Sequence, residues 1–161
     1  MAKNEVCCEL FDPKSWDEKT VTWKDKTFVT EKIPLFLHMP LPGAYDKAIT
    51  KMVSGAESAN AKSKGGDYLL LAQDLSAWRG RLYLAVTKSV DTLENITISG
   101  TFFTKVYDGP YQDVPKFIKD MSVAVAAKGL KAEDYWLYYT YCPKCAQKYG
   151  HNYIVVFAKI S

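Results

Sequence analysis

Apolar residues recur along the chain in two rhythms, a period near two and a period near three and a half. The first twenty residues follow neither. They are mixed and charged, interrupted by Pro13, and read as a lead-in arm with one short edge strand at Thr20–Trp23. Thr27–Leu35 alternates imperfectly and predicts a strand, with Pro34 marking its end or an edge. A Pro- and Gly-bearing loop, 38–43, follows. Tyr45, Ala48, Ile49, Met52, Val53 and Ala56 then lie three and four apart, the stripe of an amphipathic helix. Residues 58–66 are small and polar and predict a loop. Asp67–Gln73 reads as a strand buried on both faces, and 74–80 as a turn. Arg81–Lys88 alternates as a further strand.

The same order then returns. Asn95–Tyr107 is a long strand rich in Ile, Thr and Phe. Asp108-Gly109-Pro110 predicts a helix start, because proline tolerates an early helical position. Val114, Phe117, Ile118, Met121 and Val125 make a second stripe, and Lys128-Gly129 a stop. Asp134–Tyr141 is a strand, 142–150 a turn, and Tyr153–Ile160 a closing strand. The chain is thus strand–helix–strand–strand, twice, an α+β pattern. Residue identities support duplication. Thr27-Phe28-Val29-Thr30 matches Thr101-Phe102-Phe103-Thr104, Gly43-Ala44-Tyr45 matches Gly109-Pro110-Tyr111, and Asp67-Tyr68-Leu69-Leu70 matches Asp134-Tyr135-Trp136-Leu137. The expected organisation is an arm over residues 1–19 and one domain over 20–161, with repeats at about 20–90 and 95–161. Either half has too little core alone; two together bury their helices and leave a groove between them.

Composition narrows the function classes. With 161 residues and 48% hydrophobic content the chain is globular. Aromatics reach 14%, rich enough to suggest a ligand surface. A net charge of +3 leaves no electrostatic footprint for nucleic acid. No apolar run is long enough for a membrane span, and the start lacks the apolar core of a signal peptide, so the expected location is cytoplasmic.

Thr104-Lys105-Val106-Tyr107-Asp108-Gly109-Pro110-Tyr111, the apolar helix after it, and Trp136-Leu137-Tyr138-Tyr139 ahead of a loop with Pro143 together resemble the GyrI-like small-molecule-binding domain. That module is the effector-binding part of AraC- and MerR-type multidrug regulators. The resemblance covers roughly residues 20–160. It implies pseudo-twofold symmetry, with both helices on one face of a curved antiparallel sheet and a ligand cleft between the two βαββ repeats. Members include regulator domains, stand-alone binding proteins, a gyrase-inhibitory protein, and hydrolases that open cyclopropane-bearing toxins. Residues 1–20 are too short and polar for a helix-turn-helix, so a stand-alone form is implied. One departure matters. The family's third strand usually carries Glu-x-Tyr, and with Tyr138 aligned to that Tyr, Trp136 stands in place of the Glu. A buried carboxylate needs an answering charge; Trp needs none, so an apolar or aromatic ligand fits better than a cationic drug.

Strand parity puts Trp136, Tyr138 and Thr140 on one face, which the resemblance turns towards the cleft. Phe103 and Tyr107 share a face of the preceding strand, Tyr111 opens the helix, and Leu69 and Leu71 are the first-repeat counterparts. These seven, Trp136, Tyr138, Phe103, Tyr107, Tyr111, Leu69 and Leu71, are the candidate ligand-binding set, an aromatic box or a set of rings packed beneath the helices. Cys142-Pro143-Lys144-Cys145 has the spacing of half a zinc knuckle or of a redox pair. Cys7-Cys8 is poor knuckle spacing, and a hairpin turn is the wrong setting for a thioredoxin-like pair. Cys142 and Cys145 are therefore weak metal candidates in a structural turn, and no cofactor is expected. His38 and His151 read as loop histidines. They are the only imidazoles that could ligate a tetrapyrrole, which the similarly folded SOUL domain binds. A hydrolase would need an acid and a Tyr, for which Glu31 and Tyr138 are weak candidates. The leading expectation is a binder of an apolar or aromatic small molecule. The alternatives are a hydrolase of electrophilic, cyclopropane-type molecules and a module that inhibits a protein partner such as a topoisomerase.

Overall fold

The structure, a computed structural model, describes residues 10–64, 67–141 and 143–161, with backbone alone for Pro143 and Lys144. Its elements are β1 (Lys19–Phe36), β2 (Met39–Pro40), α1 (Ala44–Ser58), β3 (Leu70–Asp74), β4 (Arg79–Ala85), β5 (Glu94–Asp108), α2 (Val114–Ala127), β6 (Ala132–Tyr139), α3 (Pro143–Tyr149) and β7 (Tyr153–Ile160). The fold is α+β, its strand pairs antiparallel. Among the described residues no helix is long and apolar enough to cross a membrane. The chain divides into two compact units, Trp23–Gly100, and Thr101–Ser161 with the residues up to Thr22. The arm from residue 10 to Thr22 therefore belongs with the unit that holds Thr101–Ser161.

In the unit Trp23–Gly100, β1 pairs with β4 from Phe28↔Ala85 to Pro34↔Arg79, and β4 pairs with β3 from Leu70↔Leu84 to Asp74↔Gly80. The short edge strand β2 meets β1 at Leu35↔Pro40 through a turn in which Leu37 and His38 both adopt positive φ. Separate strands were expected at Thr20–Trp23 and from Thr27; they form one continuous strand, in which Asp25 takes a positive φ of 49° and donates its N–H to the Ser99 hydroxyl. Helix α1 buries Ala48, Met52 and Ala56, four residues apart, as its stripe predicts.

In the other unit β7 is the middle strand, paired with β6 on one side and β5 on the other. Ile154 through Ala158 consequently have no exposure at all. One face of this sheet carries Phe103, Leu137, Ile154, Val156 and Ala158, over which α2 lays Val114, Met121 and Val125. Burying Met121 completely contributes about 1.5–3 kcal/mol. The helix starts later than expected. Gly109-Pro110 leads into a 3-10 turn, Tyr111–Asp113, and the proline inside the first turn of α2 is Pro115. Gly109 is required by packing: a Cβ there would lie 2.9 Å from Phe117 Cζ. The expected stop is present, with Gly129 at φ 73°. The segment 142–150, read as a turn, contains α3, which ends at Tyr149 and is followed by Gly150 with φ 72°.

Candidate functional site

Residues paired across antiparallel strands share a face, so Trp136↔Phe157↔Thr104 and Tyr138↔Val155↔Val106 all lie opposite α2. The arm covers part of this face with two rings. Phe11 sits 6.1 Å from Tyr138 and 5.5 Å from Tyr153, centroid to centroid. Trp16 sits 6.2 Å from Tyr138 and 5.3 Å from Phe157. Polar contacts hold the arm there. Buried Thr104 donates its hydroxyl to the Trp16 carbonyl at 2.5 Å, Val106 N–H donates to Asp17 Oδ1, and Phe11 N–H donates to the Tyr141 hydroxyl. Trp136 is 8% exposed and meets Phe102 edge-on at 5.6 Å. Its indole N–H is buried and has no acceptor among the described residues. Such a group loses its hydration without compensation, at about 1–3 kcal/mol.

The other predicted rings lie on the opposite face. Phe103 belongs to the core under α2, with Lys128 Nζ 4.9 Å from its ring centroid. Tyr107 stacks on Phe117 at 4.7 Å and donates its hydroxyl to Asp120 Oδ2 at 2.6 Å, where Lys105 Nζ also donates at 2.9 Å. Burial, then the hydrogen bond to Asp120, then the charges of Asp120 and Asp17 push the Tyr107 hydroxyl far above its ordinary pKa. The bonds from Tyr107 and Lys105 hold the Asp120 carboxyl below its own. Tyr111 stacks on Tyr139 at 5.6 Å, and Tyr139 packs against the same core. The sequence-derived set is thus divided by the sheet. Trp136 and Tyr138 face one way; Phe103, Tyr107 and Tyr111 gather on the side of α2.

Leu69 and Leu71 belong to the unit Trp23–Gly100, where both are buried. Glu31 is in that unit too, ion-paired with Lys51 at 2.8 Å beside a groove of about 460 Å³ between β1 and α1, lined also by Ile33, Leu41 and Lys47. Cys145 is buried in α3. Cys142, Cys7 and Cys8 lie outside the described residues. Among the described residues no three His, Cys, Asp or Glu side chains gather as metal ligands.

His151, read in the sequence as a loop histidine, has defined partners. Its Nδ1 lies 2.7 Å from Asp108 Oδ2, and its ring stacks on Tyr153 at 4.8 Å with planes 13° apart. Asp108 Oδ1 accepts from Asn152 N–H at 2.9 Å, and Asn152 Nδ2 donates to the Gly109 carbonyl at 2.7 Å. Burial works to raise the Asp108 pKa, but the bonds from His151 and Asn152 and the His151 charge outweigh it and leave the carboxyl lowered. Burial and the neighbouring Asp108 and Tyr141 raise the Tyr153 hydroxyl. Tyr153 also contacts Phe11, so the imidazole adjoins the ring-bearing face. Phe11, Trp16 and Tyr153 were missed; the alternation of the closing strand puts Tyr153, Val155 and Phe157 together and was the signal available.

Comparison with known proteins bears on this arrangement. A family model described as "Bacterial hydrolase" matches residues 1–160. No curated protein matches. Solved structures with the same fold include an uncharacterized conserved protein from Listeria innocua (14% identity, TM-score 0.66, covering 91% of this chain and 94% of that one). The C-terminal domain of EcmrR is similar at 13% identity and TM-score 0.67, over 89% of this chain and 96% of that one. A hydrolase from Listeria innocua follows at 12% identity and TM-score 0.63, over 91% and 92%.

Proposed function

The chain belongs to the bacterial hydrolase family and has a GyrI-like fold, and from that premise we propose that it binds an apolar, aromatic small molecule on the ring-bearing face of Trp136 and Tyr138. One observation carries the reading: the buried indole N–H of Trp136 has no acceptor among the described residues. A guest with a carbonyl or ether oxygen would supply that acceptor, while its rings pack against half-buried Tyr138. The duplicated strand–helix–strand–strand order of the chain supports descent from a doubled binding module.

Titration with planar aromatic ketones, followed by the Trp136 indole ¹H–¹⁵N resonance, tests this. Trp136→Phe keeps a ring and removes the donor, so affinity falls about five- to tenfold, the equivalent of one net hydrogen bond. Tyr138→Ala lowers it further. A ketone that binds both variants as tightly as the wild type refutes the site.

Family membership favours a second reading, hydrolysis of an electrophilic small molecule, with cyclopropane-type compounds as one substrate class. Tyr138 and Glu31 are its sequence-derived candidates. Glu31 is committed to Lys51, so its release from that ion pair is a requirement of any such role. Product formation that survives both Tyr138→Phe and Glu31→Gln excludes those two residues.

A further inference from the structure

The molecule contains a base that neither binding nor the sequence-derived candidates use. We propose that His151 is the general base of a hydrolytic reaction, oriented by Asp108, and that the substrate is an aryl ester or a compound of similar leaving-group quality. This rests on the hydrolase reading and adds to it the residue and the substrate class.

The geometry restrains the imidazole on two sides. Asp108 accepts from Nδ1, which keeps the proton on that nitrogen and leaves Nε2 as the acceptor. Tyr153 fixes the plane of the ring by stacking. Asp108 is itself held by Asn152 N–H, and Asn152 is tied to Gly109 at the end of β5. Nε2 has no hydrogen-bond partner among the described residues, and the His151 side chain is 49% exposed, so water has access to it. A base oriented by a carboxylate is the pattern that activates water for attack.

The step balances without a co-reactant. Water oxygen attacks the ester carbonyl carbon as Nε2 takes one water proton. The bond from carbon to the aryl oxygen breaks, and the aryl oxide leaves with the electron pair. The proton on the imidazolium then passes to that oxide, giving a carboxylic acid and a phenol. An aryloxide departs without prior protonation, which suits a site that offers a base. The aryl group would lie against the half-buried rings of Tyr153 and Phe11, which continue from His151 to Tyr138 across the face.

The pair His38–Asp74 is an internal control. Nδ1 and Oδ2 are 3.1 Å apart there, and the His38 side chain is 61% exposed. The experiment is steady-state hydrolysis of 4-nitrophenyl acetate by the full chain. We expect saturable turnover, a loss of about 100-fold in kcat with unchanged KM in His151→Gln, and no change in His38→Gln. Asp108→Asn lowers kcat about tenfold at constant KM, and its imidazole ¹⁵N shifts report a redistributed tautomer. Melting curves confirm that the variants fold, and His151→Asn serves if His151→Gln does not. Saturable turnover that persists in the His151 variants overturns this assignment and leaves the hydrolase reading standing. No saturable turnover by the wild type, or equal losses in the His38 and His151 variants, overturns the assignment and removes the support that aryl-ester chemistry lends to that reading.

Discussion

Replacing Thr104 by Val should detach the arm from the sheet. Thr104 has no exposed surface, and its hydroxyl donates to the carbonyls of Trp16 at 2.5 Å and Lys19 at 3.3 Å. Val keeps the branched shape and removes the donor. One net hydrogen bond is lost, about 1 kcal/mol, and a main-chain carbonyl is left in a part-buried position without it, about 1 kcal/mol or more. The sum is about 2 kcal/mol. With a urea dependence of about 2 kcal/mol per molar, the denaturation midpoint falls by about 1 M. Thr104→Ser keeps the donor and loses one methyl, about 0.8 kcal/mol, so its shift is less than half as large. The loss should be local as well as global. Limited trypsin digestion should cleave the Val variant faster at exposed Lys14 while α2 stays protected. The reasoning fails if Thr104→Val costs no more than Thr104→Ser, or if cleavage at Lys14 is unchanged.

Two glycine substitutions should destabilise for different reasons. Gly109→Ala drives a methyl to 2.9 Å from Phe117, whose ring is backed by Tyr107, and should cost about 1–3 kcal/mol in urea denaturation. Gly129→Ala meets no atom within 4 Å but forces φ near 73° on a residue with a Cβ, so about 1–2 kcal/mol is expected from backbone strain alone. Asp120→Asn should lower stability at neutral pH, because the folded-state carboxyl is held below its ordinary 3.8 by Tyr107 and Lys105. That contribution is complete above the unfolded pKa and disappears as pH falls through the folded one, so the gap between variant and wild type should close between about pH 5 and pH 2. A gap that stays constant across that range would sink the assignment.

The sequence made the larger elements visible because their signals are local. The stripes of α1 and α2 bury Ala48, Met52 and Ala56, and Val114, Met121 and Val125. The repeated Thr-Phe-x-Thr has the same use in each unit: Phe28 and Phe102 are fully buried, while Thr30 and Thr104 are buried and donate to main-chain carbonyls. Helix α3 was missed because its seven residues carry no apolar stripe, and a helix that short is decided by its tertiary surroundings. The signal it did carry was terminal, Pro143 at its start and Gly150 after its end. Site membership was harder, because it depends on register. The candidate set groups rings of β5 and β6 in one box. β7 lies between them, and the two registers through it send Trp136 and Tyr138 one way and Phe103 and Tyr107 the other. No local pattern encodes that.

The division of labour within this unit follows from position 136. Where the resemblance leads one to expect a carboxylate, the face has an indole, and the nearby Thr104 hydroxyl is spent on the Trp16 carbonyl. Rings and one unanswered N–H can recognise and orient a guest, but they cannot accept a proton from water. On the proposed hydrolytic reading the proton acceptor comes from the margin of the face, where Asp108 at the end of β5 has His151 set against it. Recognition by the strands and proton transfer at their end are then separable properties. Trp136→Phe should weaken binding without altering the rate constant of bound substrate, and His151→Gln should do the reverse. If the two variants instead impair binding and turnover in the same proportion, face and margin act as one site and the separation is wrong.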